Sequence, residues 1–168
     1  MPFSRVAVAG IMSCILAEPA MAARTGDFGG LPICSRLNAM PRGYRPSECN
    51  SRSPLSGECR FFLTAKGMRT EYLIENGIVL EKRVSLRAGP RSANPFGLLR
   101  GESRANTAGK VRASTGLATR YWDDAEDAGA GYLQSTEVNC SRTKSYTISV
   151  WFRNGRAEAV SVSTLPAM

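Results

Sequence analysis

Residues 144–163 constrain the fold of this chain more than any other segment. Apolar positions alternate along the first half, Asn154-Gly155 interrupts them, and a second run rich in β-branched residues follows. A two-residue hairpin turn needs positive φ angles at both central residues, and Asn-Gly tolerates them. The segment is therefore predicted to form a β-hairpin. The alternating apolar positions of its first strand are Tyr146, Ile148, Val150 and Phe152.

The same pattern occurs earlier in the chain, where an apolar strand, Asn76-Gly77 and a second apolar strand follow one another. The two turns are 154 − 76 = 78 residues apart. A two-residue turn fixes the register of a hairpin, so cross-strand partners can be predicted. The expected pairs are Ile74 with Val79, Leu73 with Leu80, and Glu71 with Lys82.

Short helices are predicted before each set of strands. Apolar residues at Ile33, Leu37 and Met40 follow the spacing of one helix face, and Pro41 would end that helix. A second helix is predicted over residues 102–114, with Gly116 as its C-terminal stop. The predicted fold class is α+β, with short helices packed on an antiparallel sheet.

Two tandem helix-plus-meander repeats are one interpretation of this order. They would span residues 33–86 and 98–168, joined by a Pro/Gly-rich linker over residues 87–97. The other interpretation is chance recurrence of a common hairpin within a single α+β meander.

The N-terminus predicts export. Residues 1–22 resemble a secretory signal peptide with a cleavage site after Ala22, and a flexible lead-in is predicted over residues 23–32. An alternative is lipid anchoring at Cys14, which ends an imperfect lipoprotein processing box. No later segment is apolar and long enough to span a membrane. A periplasmic or secreted location is expected.

Four cysteines follow the predicted cleavage site: Cys34, Cys49, Cys59 and Cys140. An even number of cysteines in an exported chain predicts two disulfides, and sequence alone allows three connectivities. The preferred pairs are Cys34 with Cys49 and Cys59 with Cys140. A metal site is the competing interpretation, but the chain has no histidine and no pair of cysteines two residues apart.

The sequence predicts a protein without catalytic activity, cofactor or metal. The absence of histidine removes Ser-His-Asp and Cys-His arrangements, and no glycine-rich phosphate loop occurs. A cluster of four carboxylates is interpreted as a solvated acidic surface rather than a cation site, because no calcium-loop spacing is matched. Its members are Asp123, Asp124, Glu126 and Asp127.

The chain is basic, with a net charge of +8, which favours acidic partners. Residues 82–120 contain nine basic side chains and only one acidic side chain, Glu102. If the nine lie on one face, they would form a polyanion-binding patch. They are Lys82, Arg83, Arg87, Arg91, Arg100, Arg104, Lys110, Arg112 and Arg120.

Aromatic residues offer a second candidate surface. Trp151 is predicted to point away from the apolar face of its strand, and Tyr121-Trp122 precede the acidic cluster. Trp and Tyr are enriched among the residues that dominate protein interfaces, although packing within the fold is the alternative for each. The candidate binding residues are Tyr121, Trp122, Trp151, Arg100, Arg104 and Arg112.

The second half of the chain, about residues 98–163, resembles the small SmpA/OmlA-type outer-membrane assembly proteins, and the tandem order resembles the β-lactamase-inhibitor-protein architecture. The residues that carry the resemblance are Leu99, Gly101, Gly116, Trp151, Phe152, Asn154, Gly155 and Arg156.

This resemblance implies non-catalytic protein binding in the cell envelope. The expected partner is an envelope protein, with an anionic glycolipid or other polyanion as an alternative ligand and no specific nucleic acid. Two alternative functions are inhibition of an exported enzyme and binding of a polyanion such as lipopolysaccharide.

Overall fold

The fold is seen in a computed structural model, which describes residues 27–89, 93–124 and 129–164. The predicted signal peptide, Cys14 and residues 23–26 of the predicted lead-in lie outside this part of the chain. The described residues form one nine-stranded antiparallel sheet and one α-helix. The α+β class is therefore confirmed in its coarse form, with the sheet dominant.

The strands follow the order β1-β2-β3-β4-β9-β8-β6-β5 across the sheet, and β7 pairs with the other end of β8. Their bounds are β1 Arg45–Cys49, β2 Glu58–Ala65, β3 Met68–Glu75, β4 Ile78–Ser85, β5 Thr119–Asp123, β6 Ala130–Ser135, β7 Val138–Asn139, β8 Ser145–Arg153 and β9 Arg156–Thr164. The helix, α1, is Arg104–Thr115, and a 3₁₀ turn covers Pro95–Gly97.

Two four-stranded meanders meet at the centre of the sheet. Strands β1 to β4 form one, strands β5, β6, β8 and β9 form the other, and β4 pairs with β9 between them. Each meander ends in the predicted Asn-Gly turn. The φ angles are 49° and 75° at Asn76-Gly77 and 49° and 67° at Asn154-Gly155, which confirms both hairpins.

A β-bulge follows each turn and changes the register. Ile74 faces Val79 as predicted, but Leu73 then faces Glu81, which leaves Leu80 as the extra residue. The predicted pairs of Leu73 with Leu80 and of Glu71 with Lys82 are therefore wrong. In the second hairpin Phe152 faces Ala157 and Trp151 faces Ala159, which leaves Glu158 on β9 as the extra residue. Such bulges increase the local twist of a hairpin.

Helix α1 packs on one face of the sheet, which is called here the inner face. Ser103 caps the helix by accepting a hydrogen bond from the Asn106 backbone N–H, and Gly116 ends it with a φ of 73°. The helix buries Thr107, Val111 and Thr115. These contacts confirm the predicted second helix. Among the described residues, no helix is long and apolar enough to cross a membrane.

The predicted first helix over residues 33–40 does not form. Cys34 has a φ of 60°, and its N–H donates to the Val79 carbonyl at 2.9 Å. The Leu37 N–H likewise donates to the Gly77 carbonyl at 2.7 Å. The segment therefore bonds to the β3–β4 hairpin. Apolar spacing over only eight residues could not exclude this alternative.

The segment just before it also packs on the inner face, as a strap over residues 27–32. Lys82 is fully buried there and forms an ion pair with Asp27. Its ammonium also donates to the Leu31 carbonyl at 2.9 Å, and Phe28 joins the core. The described part of the predicted lead-in is thus held by a buried charge pair and by apolar contact. Burial, above all, raises the pKa of Tyr72, whose hydroxyl accepts from the Leu31 N–H.

The two disulfides join Cys34 to Cys140 and Cys49 to Cys59. The prediction of two disulfides is confirmed, but the preferred pairing is wrong. Cys49 and Cys59 face each other across β1 and β2, with Cα atoms 4.0 Å apart. The other bond ties the N-terminal segment to the second meander. The spacing of the cysteines in the sequence does not show that either pair lies close together in the fold.

Removing the Cys34–Cys140 bond is expected to destabilise the protein more than removing the Cys49–Cys59 bond. Their sequence separations are 106 and 10 residues. In the chain-entropy model a loop of about 100 residues contributes about 4.7 kcal/mol, and one shorter than about 15 residues contributes less than about 3 kcal/mol. Denaturant unfolding of the two double Cys→Ala variants measures the difference. Non-reducing peptide mapping that links Cys34 to Cys49 would contradict this connectivity.

Replacing Gly155 by Val is expected to destabilise the protein by more than about 1 kcal/mol, because a β-branched residue is strained at positive φ. No heavy atom lies within 4 Å of the added Cβ, so the effect comes from the backbone. Gly109→Ala in exposed α1 is the control and should stabilise by up to about 1 kcal/mol. Thermal melts of both variants test this. Equal melting of Gly155→Val and the parent protein would refute the turn assignment.

Candidate functional site

The face of the sheet opposite α1 is called here the open face. Side chains alternate along each strand, so residues next to buried core positions point to this face. Among the described residues, neither α1 nor the strap lies on it. One row of facing residues crosses seven strands from β5 to β2. It runs Arg120, Gln134, Ser149, Ser161, Arg83, Glu71, Phe62.

A row of three aromatic residues lies beside that line. Trp122 on β5 faces Tyr132 on β6, which faces Trp151 on β8. The Tyr132 and Trp151 ring centroids are 5.2 Å apart with the planes tilted by 40°. Trp122 and Trp151 remain 38% and 37% exposed. This aromatic row therefore presents a broad apolar surface to solvent.

Arginines stack against both ends of the aromatic row. The Arg120 guanidinium carbon is 4.2 Å from the centroid of the Trp122 ring, and that of Arg83 is 5.7 Å from Trp151. Within the described chain, neither arginine forms a salt bridge. Cation–π contact orders these side chains without using up their N–H donors. Positive groups with free donors thus flank an apolar surface.

Small hydroxyl residues line the open face next to the aromatic row. Ser149 and Ser161 are buried there, although within the described chain neither α1 nor the strap lies on this face. The Trp151 indole N–H donates to the Ser161 hydroxyl at 3.1 Å. This hydrogen bond fixes the indole ring across the strands. Trp151 is therefore held in one orientation before any partner binds, which reduces the entropy cost of binding.

A cavity of about 440 Å³ opens beside Trp151. Ser85 and Ala159 are among its lining residues, together with the arginines Arg83, Arg100 and Arg153. Glu158 lies 3.9 Å from the Arg100 guanidinium and 3.8 Å from that of Arg153. Asp124 also lines it, so three positive groups meet two negative ones. The net positive charge of the cavity lining favours a ligand with an anionic group.

The predicted binding residues do not form one surface. Trp122 and Trp151 lie on the open face, and Arg100 lines the cavity. Tyr121 points inward, with its ring 5.9 Å from that of Phe152. The structure thus divides the predicted set.

The two remaining members of the set belong to α1. Arg104 stacks over Tyr121 at 3.7 Å and lies 3.9 Å from Asp123, while Arg112 is exposed on the helix. Sequence reasoning missed Tyr132, Arg83, Arg120 and Arg153 as members of the open face. Alternation along β4 and β8 is enough to predict that Arg83 and Arg153 point to this face. The order of the strands across the sheet is needed to show that the two residues lie near each other.

The nine basic residues of the 82–120 segment do not share a face, so the condition for the predicted patch is not met. Lys82 is buried on the inner face beneath the strap, while Arg83, the next residue in β4, lies on the open face. Arg104 and Arg112 belong to α1 and Arg91 is outside the described chain. Alternation along β4 and the separate path of the helix disperse the charges.

The acidic cluster is only partly described, because Glu126 and Asp127 lie outside the described residues. The Asp123 side chain is 80% exposed and forms a long ion pair with Arg104. Within the described ranges, no group of three or more candidate metal-ligating residues occurs. The described part of the cluster is thus a solvated acidic end of β5.

Comparison with known proteins adds no relative, since no family model, curated protein or solved structure matches this chain.

The two tryptophans, the only ones in the chain, are expected to be quenched more strongly by iodide than by caesium. Arg120 and Arg83 stack on their rings and attract anions locally, whereas distant charges are screened beyond about 8 Å at physiological salt. Fluorescence quenching at constant ionic strength measures the ratio. Unfolding in urea should reduce the preference. Equal quenching by both ions in the folded protein would contradict the stacking.

Proposed function

We propose that this protein is a non-catalytic, exported binding domain of the cell envelope whose open face binds an acidic partner protein. The observation that carries the proposal is the aromatic row of Trp122, Tyr132 and Trp151, bare of any described element and flanked by Arg120 and Arg83. Trp, Tyr and Arg are the residue types that dominate interface energetics.

Charge supports an acidic partner. The chain carries +8, and the cavity beside Trp151 has three arginines among its lining residues. A carboxylate of the partner would complete this cavity through charge-assisted hydrogen bonds with Arg83 or Arg153. Complementary charge also accelerates association and discourages wrong partners. The aromatic row would supply the apolar contact area.

A non-catalytic role is supported by the absence of histidine and by the position of Glu158, which lies between Arg100 and Arg153 as an ion-pair partner. Export is supported by the predicted signal peptide and by two disulfides, which persist in oxidising compartments. Periplasmic or secreted location is part of the proposal, with lipid anchoring through Cys14 as the alternative.

We also infer that the two meanders descend from one duplicated unit, as in the tandem architecture that the sequence resembles. The two Asn-Gly turns are 78 residues apart, and the bulges after Leu73 and after Trp151 are also separated by 151 − 73 = 78 residues. A turn and a bulge that both recur at the same spacing favour duplication over chance more strongly than a recurring turn alone. The shared open face would then be the product of joining two hairpins edge to edge.

Affinity capture from an envelope extract, followed by binding of the purified captured protein, tests the proposal. Arg83→Gln and Trp151→Ala should each weaken binding by about tenfold or more, as expected for hot-spot residues. Arg112→Gln is the matched control, because it removes the same charge from exposed α1. It should leave binding within about twofold, as rim or remote charges do.

The same variants separate the alternatives. Equal losses in Arg83→Gln and Arg112→Gln, with heparin or lipopolysaccharide as the retained ligand and steep salt dependence, would replace the proposal by polyanion binding. A captured exported enzyme that loses activity in a one-to-one complex would make the protein an inhibitor. Binding that ignores both open-face variants would refute the open face as the site.

A further inference from the structure

Strand β5 is an edge of the sheet, and its outer side pairs with no described strand. The Thr136 N–H donates to the Ala118 carbonyl at 2.9 Å, and the Asp124 N–H donates to the Ala130 carbonyl at 3.1 Å. Antiparallel strands alternate between residues that bond inward and residues that bond outward. Counting by twos from Ala118, the N–H and C=O groups of Thr119, Tyr121 and Asp123 therefore point away from the sheet.

The two edge strands, β1 and β5, differ in the features that prevent another strand from pairing with them. Strand β1, at the other edge, contains Pro46, a bulge next to it, and the disulfide that fixes Cys49 to β2. Proline and bulges are the usual devices that prevent strand addition. The sequence of β5 is Thr-Arg-Tyr-Trp-Asp, without proline, and its register with β6 is unbroken. Its outward N–H and C=O groups can therefore form hydrogen bonds with an added strand.

The sequence of β5 is complementary to itself in antiparallel orientation. A two-fold axis at Tyr121 would align Thr119 with Asp123 of the second copy, and Arg120 with its Trp122. All three outward residues would then form bonded pairs, with six backbone hydrogen bonds in total. Arg120 would meet a second indole on the open face, the contact it already makes within one chain.

The neighbouring registers are less favourable. A shift of two residues in one direction places Arg120 opposite Arg120, and like charges directly opposite destabilise a sheet. A shift in the other direction leaves only two bonded pairs within the strand. We propose that β5 pairs with β5 of a second copy of this chain, in the register centred on Tyr121, so that two open faces form one continuous surface.

Charge along the strand supports this orientation. Strand β5 carries Arg120 near its start and ends at the exposed Asp123. Antiparallel pairing brings the basic start of one copy to the acidic end of the other. A five-residue strand buries less than the roughly 1,200–2,000 Å² of stable interfaces, so the dimer is weak and depends on concentration.

Amide hydrogen exchange of the purified protein, measured over a range of concentrations beside sedimentation equilibrium, tests the pairing without any other partner. The amides of Thr119, Tyr121 and Asp123 should gain protection as the dimer forms. Those of Arg120 and Trp122 should be protected at all concentrations, because they bond to β6. This contrast within one strand is the internal control.

Thr119→Pro and Thr119→Ala form a matched pair of variants. Proline removes an outward donor in each copy and spares the ladder with β6, while alanine keeps the N–H. Thr119→Pro should raise the dimer dissociation constant by at least about tenfold, and Thr119→Ala should not, since each lost hydrogen bond counts twice in a symmetric dimer. Arg120→Glu, which leaves the backbone intact, should weaken the dimer as well if Thr119→Pro fails to fold.

Three results would overturn the proposal. One is a monomer at every concentration. A second is full protection of the three outward amides at the lowest concentration, which would mean that the chain covers its own edge. The third is dimerisation that is equal in the folded Thr119→Pro and Thr119→Ala variants and in Arg120→Glu.

Discussion

The structure depends on a sheet that helix α1 and the strap cover on one face, while in the described part of the chain neither lies on the other face. Adjacent residues of β4 show the consequence, since Lys82 is fully buried and Arg83 is exposed to solvent. Helix α1 and the 27–32 strap supply apolar cover for the inner face, and the core lies between them and the sheet. The described residues contain no second α-helix for the other face, and residues 33–40 bond to the hairpin instead. The bare aromatic row follows from that shortage of cover.

The buried pair of Lys82 and Asp27 is the costliest part of this arrangement. Two charges lose most of their hydration, and their attraction offsets this only with good geometry and further hydrogen bonds. Lys82 has both, because it also donates to carbonyl groups of Phe28 and Leu31. An apolar residue at position 82 would have filled the core at lower cost. The lysine instead holds one particular strap to the sheet, and this choice fixes which face is closed.

Short-range rules predicted much of the fold. The Asn-Gly turns, the helix end at Gly116 and the outward direction of Trp151 each depend on a few neighbouring residues, and the structure contains all three. The bulges were not predictable, since each is one extra residue that changes register beyond the turn. Cysteine pairing failed for a different reason: Cys34 and Cys140 are brought together by the path of the whole chain.

The candidate site was predictable only in part, because it also depends on how the path of the whole chain brings distant residues together. Trp151 was found from alternation within its strand, whereas Trp122 was singled out only as an aromatic residue before the acidic cluster. Tyr132 joins them only because β6 lies between β5 and β8. Tyr121 was grouped with Trp122 although neighbours in a strand face opposite sides. Strand order is a long-range property. It converts scattered aromatic and basic residues into a surface and separates others that are adjacent in sequence.

Site-specific photo-crosslinking in the cells that make the protein tests directly whether the open face is the binding surface. A photoreactive residue at Gln134 would probe the open face, and one at Asn106, exposed on α1, would be the control. Position 134 should yield a discrete crosslinked protein that position 106 does not yield, and this product should be lost when Trp151→Ala is added. Crosslinking from position 106 alone, or equally from both positions, would contradict the assignment of the open face as the binding surface.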